Sequence, residues 1–204
     1  LRARLAIRGR LGTPKLGMFE LGTHRVVHIP DCVVQHPLIN RVAAVVRRGE
    51  IVNNAAEART LQIVDGLPQV LPWGLNQWAV KFMSRTSEAF MGVEGVEERL
   101  PFYRLKVWPT DSPRVERVIA GNFLAGFLDG KRNAVLVDPE RLFGSAGDLS
   151  RPECFSARAR LDLAGQVVAN QTPAAFQVLE LVLQPGERRV FHGLYGHAQT
   201  HEAL

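Results

Sequence analysis

Asp65-Gly66-Leu67-Pro68-Gln69-Val70-Leu71-Pro72-Trp73-Gly74-Leu75-Asn76-Gln77-Trp78-Ala79-Val80-Lys81-Phe82-Met83 is the stretch in which the period of the chain changes. Before it, Arg59 to Val64 alternates polar and apolar residues in the manner of a half-buried strand. Asp65-Gly66 closes that run, and Pro68 and Pro72 forbid ordinary ladder pairing through the next segment. Leu75, Trp78, Ala79, Phe82 and Met83 then fall at helical spacing, which predicts a short amphipathic helix anchored by Trp78 and Phe82. After Arg85 the chain reads as extended again through Met91 and Val93. A strand that leaves its sheet for a Pro-stiffened excursion and one helix is unusual in an all-β chain. Excursions that carry two Trp and several polar side chains commonly bind something or form an interface. The plainer alternative is that Trp73 and Trp78 plug the end of a sandwich core.

On either side of this stretch the pattern is strand and turn. Leu1 to Arg10 alternates, and Val26 to Ile29 is a second strand stopped by Pro30. Val42 to Asn53 is a long β-rich run, and Asn53-Asn54-Ala55-Ala56-Glu57 is expected to turn it into a hairpin with Arg59–Val64. Thr86 to Val96 and Pro101 to Trp108 form another strand pair, and Arg114 to Phe127 reads as extended throughout. Asp138-Pro139-Glu140 starts one or two turns of helix at Pro139–Phe143, with a cap, a Pro at the first position and an acid beside it. Phe176 to Leu183 is a clean strand that Gln184-Pro185-Gly186-Glu187 turns into Arg189–Tyr195. Spaced strands with few helices predict an all-β antiparallel β-sandwich, one domain over residues 1–204.

Net charge is +5 and the pI is about 9.8. The Arg residues are dispersed, as at Arg47-Arg48, Arg158, Arg160 and Arg188-Arg189, and no zinc-finger, helix-turn-helix or RNA-binding strand signature appears. The expectation is therefore no nucleic acid partner. No apolar run is long enough to span a bilayer, so no membrane partner is expected either. Cys32 and Cys154 do not make a disulfide framework, and free thiols in a cytoplasmic setting are the simpler reading.

Few residues here carry recognisable chemistry. His24, His28, Cys32 and His36 recur every four residues, which on a helix would line one face. Val26, Val27, Pro30, Val33 and Val34 favour extended chain, where residues eight apart lie roughly 26 Å distant, so no metal site is expected. Glycine-rich phosphate loops and nucleophile elbows are absent. Glu94, Glu97 and Glu98 read as solvated charge rather than as a catalytic pair.

Asp65-Gly66-Leu67-Pro68, Gly74-Leu75-Asn76-Gln77-Trp78-Ala79, Pro101-Phe102-Tyr103-Arg104-Leu105, Leu183-Gln184-Pro185-Gly186-Glu187 and Gly193-Leu194-Tyr195-Gly196-His197 occur in order along the chain. This set resembles the N-terminal sandwich region of bacterial phosphorylases that act on β-1,2-linked glucooligosaccharides. These belong to the cellobiose-phosphorylase family (glycoside hydrolase family 94), which also holds the cyclic β-1,2-glucan synthases. The resemblance runs from about Val42 to the C-terminus and leaves Leu1 to Ile39 unplaced. It implies a supersandwich of the galactose-mutarotase kind that precedes a catalytic α/α barrel in the same chain. It also implies no catalytic residue in this segment and no cofactor, with inorganic phosphate as co-substrate of the whole enzyme. The expected partners are that barrel, a β-glucooligosaccharide and a second copy in a homodimer. Within the excursion, the substrate-binding or interface candidates are Trp73, Asn76, Gln77, Trp78, Lys81, Arg85 and Glu88. Two alternatives stand beside this reading: a free-standing carbohydrate-binding sandwich and a mutarotase-like sugar epimerase.

Overall fold

Alternation along β11 (Ala175–Leu183) decides where the core sits. Leu179, Leu181 and Leu183 pack with Phe191 on one face. Phe176 and Val178 turn the other way, against Leu136, Leu142, Phe143 and Leu161. Ladders on both sides make β11 a central strand: it pairs antiparallel with β5 (Arg59–Leu67) on one side and β10 (Ala134–Leu136) on the other, and only Glu180 and Val182 of it are exposed. The computed structural model describes residues 6–10, 13–19, 26–28, 42–75, 78–110, 112–145, 147–156 and 160–204, with side chains from residue 44 onward.

A second sheet faces the first. Its order is β4 (Val42–Val52), β12 (Arg188–Ala198), β8 (Gly121–Leu128), β7 (Phe102–Leu105) and β6 (Met91–Glu94), with β9 (Lys131–Arg132) paired to β8. Val93, Tyr103 and Leu124 from this sheet meet Val137 and Ala175 across the interface. The fold is thus an all-β antiparallel sandwich with a few short helices. A separate three-stranded sheet is formed by β1 (Ala6–Arg10), β2 (Thr13–Phe19) and β3 (Val26–His28). The rest of the expected first strand lies outside the described residues, as do His24, Cys32 and His36.

The hairpin expected between Val42–Asn53 and Arg59–Val64 does not form. β4 pairs with β12 and β5 with β11, so these consecutive strands belong to different sheets. Asn53 explains the difference. Its side-chain amide donates to the Glu57 carbonyl at 2.8 Å and the Leu183 carbonyl at 2.9 Å, and its Oδ1 accepts from the Ala55 N–H at 3.0 Å. The link therefore folds as an arch pinned to the end of β11 rather than as a tight turn.

The excursion also differs from its expected form. A five-residue π-helix covers Ala79–Met83 and a 3-10 helix covers Ser84–Phe90, so only Met91–Glu94 of the expected Thr86–Val96 strand is extended. Leu75 and Ala79 are buried, whereas Trp78 is 48% and Phe82 64% exposed, so neither of these aromatics is the anchor. The wider π turn advances side chains by a smaller angle per residue, and a stripe drawn at 3.6 residues per turn drifts off the core. Arg114–Phe127 is shorter than expected as well: β8 begins at Gly121, and only an isolated bridge between Val107 and Arg117 precedes it. The helix at Glu140–Phe143 is as expected, with Asp138 Oδ1 accepting the Glu140 N–H at 3.2 Å.

Candidate functional site

The excursion splits its candidate residues between different surroundings. Trp73 turns inward: its ring lies 4.0 Å from the His197 ring, centroid to centroid, and its backbone bonds to Tyr103 and Leu105. Trp78 and Lys81 stay at the surface around Phe82, with the Lys81 Nζ 5.2 Å from the centre of that ring. Arg85 and Glu88 come together at 3.6 Å, and Thr172 Oγ1 donates to Glu88 at 3.0 Å. These two line an open cleft of about 260 Å³ with Gln69, Glu140, Gln171 and Thr172. Asn76 and Gln77 lie outside the described residues.

A polar chain runs from the exposed Arg47 inward to the buried Asp65, Gln177 and Asn133 between the sheets. Arg47 pairs with Asp65 at 2.8 Å, Gln177 donates to Asp65 at 3.1 Å, and Asn133 donates to Gln177 at 2.7 Å. Glycine makes the room, since a Cβ at Gly126 would sit 2.4 Å from Gln177 Oε1 and one at Gly193 would sit 2.9 Å from Gln177 Nε2. Tyr195 lies beside this chain. Burial first, and then the Asp65 charge, push its hydroxyl up to about 12, with Arg47 opposing. Burial also raises Tyr103 well above the ordinary tyrosine value, helped by Tyr195. His197 is held below its usual value by burial, against a backbone bond to Gly121. Every charged or amide group of this chain is committed to another, an arrangement suited to fixing the register of two sheets.

The outward face of the six-stranded sheet is different. Strand register sets Arg48 beside His192, His192 beside Phe127, and Phe127 beside Arg132, in one row across four strands. Such a row spans roughly 14 Å at the usual strand spacing. Arg48 is bound to Glu50 at 3.1 Å. At the other end Arg99 donates to the Arg132 carbonyl at 3.0 Å, and Arg132 donates to the Glu98 carbonyl at 3.3 Å. Among the described residues neither guanidinium forms an ion pair, so two exposed cations stand beside a half-buried Phe and an exposed His. The excursion reading missed this row because its members are neighbours only through strand register.

No protein-family model matches the chain. A 46-residue stretch is 41% identical to an uncharacterized RNA methyltransferase of Protochlamydia amoebophila, covering 22% of this chain and 12% of that protein. A 47-residue stretch is 38% identical to an uncharacterized RNA methyltransferase of Geobacter sulfurreducens, covering 23% of this chain and 10% of that protein. The chain thus spans about a tenth of the length of the curated relatives it matches.

These findings correct the family reading. The matched proteins carry RNA methyltransferase names, and nothing in the comparisons points to phosphorylases or glucan synthases of the cellobiose-phosphorylase family. The glucan-acting module falls with it, as do the glycosyltransferase and β-1,2-glucan assignments, and the carbohydrate-binding and epimerase alternatives are no better supported. The motifs behind the resemblance have local causes. A Cβ at Gly66 would sit 2.0 Å from the Ala175 carbonyl, and Gly193 makes room for Gln177, so each glycine answers to packing within this sandwich. Among the described residues no helix is long and apolar enough to cross a membrane.

Proposed function

We propose that the chain is an RNA-contacting β-sandwich module, non-catalytic by itself and cytoplasmic, that serves RNA modification. The observation that carries this reading is the outer row of His192, Phe127 and Arg132 with Arg99 beside it. Guanidiniums free of carboxylates neutralise phosphates, and the exposed part of the Phe127 ring, which otherwise packs on the cluster of Phe102, Phe123 and Ala125, offers a base a stacking surface. The net charge of +5 favours a polyanionic partner, and the RNA methyltransferase names of the partial relatives favour RNA over other polyanions.

Titration of fluorescein-labelled single-stranded RNA, followed by anisotropy at several salt concentrations, tests the proposal. Arg99→Ala and Arg132→Ala together should weaken binding and flatten the dependence of log K on log salt by about one to two units. Phe127→Leu keeps an apolar side chain but removes the ring, and should weaken binding about tenfold, within the roughly 1–3 kcal/mol of a base–aromatic stack. Binding that ignores all three substitutions, in protein with an unchanged circular-dichroism spectrum, rules this face out.

A further inference from the structure

We infer that β4 is the self-pairing edge of a symmetric dimer, its partner the β4 of a second copy of this chain. Among the described residues β4 pairs on one side only, with β12, and ends the six-stranded sheet. It is eleven residues long, and Val46 stands 63% and Val52 38% exposed on its outward face. An edge this long, open among the described residues and apolar on either side of its charged centre, presents a ready template for another strand.

The sequence of the edge selects the occupant. An antiparallel pair of two β4 strands centred on Gly49 sets Arg48 opposite Glu50 twice and Val46 opposite Val52 twice, with Gly49 against Gly49 on the two-fold axis. Opposite charges facing across strands stabilise such a pair, and like charges oppose it. Of the neighbouring registers that keep the inner faces of both copies on one side, those centred on Arg47, Arg48 or Glu50 each set a like charge against itself. The edge is therefore complementary to itself in one register, the defining property of an isologous interface. Arg48 and Glu50 already approach to 3.1 Å within one strand and Glu50 also meets Arg188 at 3.2 Å, so the joined edges would form a six-residue charge cluster. This inference does not depend on the RNA proposal, whose Arg99, Phe127 and Arg132 lie away from β4, and of that row His192 is the residue that adjoins Arg48.

Sedimentation equilibrium of the full chain over a range of concentrations reads the result. The parent should show twice the monomer mass at the upper concentrations. Arg48→Glu alone and Glu50→Arg alone each set like charges across the axis and should return the monomer mass. The double exchange R48E/E50R restores complementarity and should restore the dimer. Val46→Lys should also give monomer, with circular dichroism unchanged. A parent that stays monomeric throughout, or a double exchange that fails to regain the mass lost by the singles, overturns the inference.

Discussion

Asn133 donates from Nδ2 to Gln177 Oε1 at 2.7 Å, and that bond orients a fully buried amide toward Asp65. Gln177→Leu should therefore leave both Asn133 and Asp65 short of a partner, at a cost of about 2–4 kcal/mol. Gly126→Ala places a Cβ 2.6 Å from the Gln177 Cβ, which has no freedom to retreat, and should cost about 1–3 kcal/mol. Urea unfolding of Q177L and G126A checks both, and Q177A with G126A/Q177A completes a double-mutant cycle. G126A/Q177A should lose less than the sum of G126A and Q177A, because Ala at 177 keeps its Cβ but removes the Oε1 and Cδ that would lie 2.4 Å and 2.9 Å from the new methyl.

Alkaline pH should weaken the fold through the interior tyrosines. Tyr195 titrates at about 12 in the folded protein against 10.0 when free, and Tyr103 is raised as well. Between those values the unfolded chain has released protons that the folded one retains, so the contribution present below pH 10 is lost as pH climbs toward 12. Denaturant midpoints across this range should fall, and Tyr195→Phe should make the decline shallower. An equally steep decline in that variant would show that Tyr195 does not drive it.

On the acid side His197 has the opposite sign. Its folded value lies below 6.5, so the unfolded chain binds the proton first and stability falls as pH drops through that window. His197→Gln should flatten the thermal midpoint between pH 7 and the acid limit of folding. Unchanged acid sensitivity would assign the effect to other groups.

Leu75 and Phe82 should respond in opposite ways to truncation. Leu75 is buried with Met91, Leu105 and Val118, and Leu75→Ala should cost about 2–4 kcal/mol. Phe82 is 64% exposed, and Phe82→Ser should change stability by no more than about 0.5 kcal/mol. Thermal melts of both variants decide whether the excursion is held by Leu75 or by its aromatics.

Local signals in the sequence were good guides to strands and caps. The alternation of Phe176–Leu183 marks β11 to within one residue, and Asp138-Pro139-Glu140 marks the start of the Glu140–Phe143 helix. Partners were not legible. The run from Val42 looks ready to pair with the run from Arg59, yet the ladder β4 forms is with Arg188–Ala198, well over a hundred residues along. The same limit hid the polar interior and the outer row. Gly126 matters only because Gln177 lies against it, and Phe127 joins Arg132 and His192 only through strand register. Helical spacing at Leu75–Met83 misplaced Trp78 and Phe82 because it assumed the wrong helix type.

The arch at Asn53 also governs how the molecule must be made. β11 is the middle strand of one sheet, and β12 joins β4 to β8 in the other. Neither sheet of the sandwich can be completed until residues 175–198 are available, so β4 and β5 wait on the strands made last. A chain emerging from the ribosome would carry β4 and β5 with their ladders unfilled through most of synthesis. High contact order of this kind slows folding and leaves unfilled edges open to aggregation. In this chain β11 and β12 close the fold.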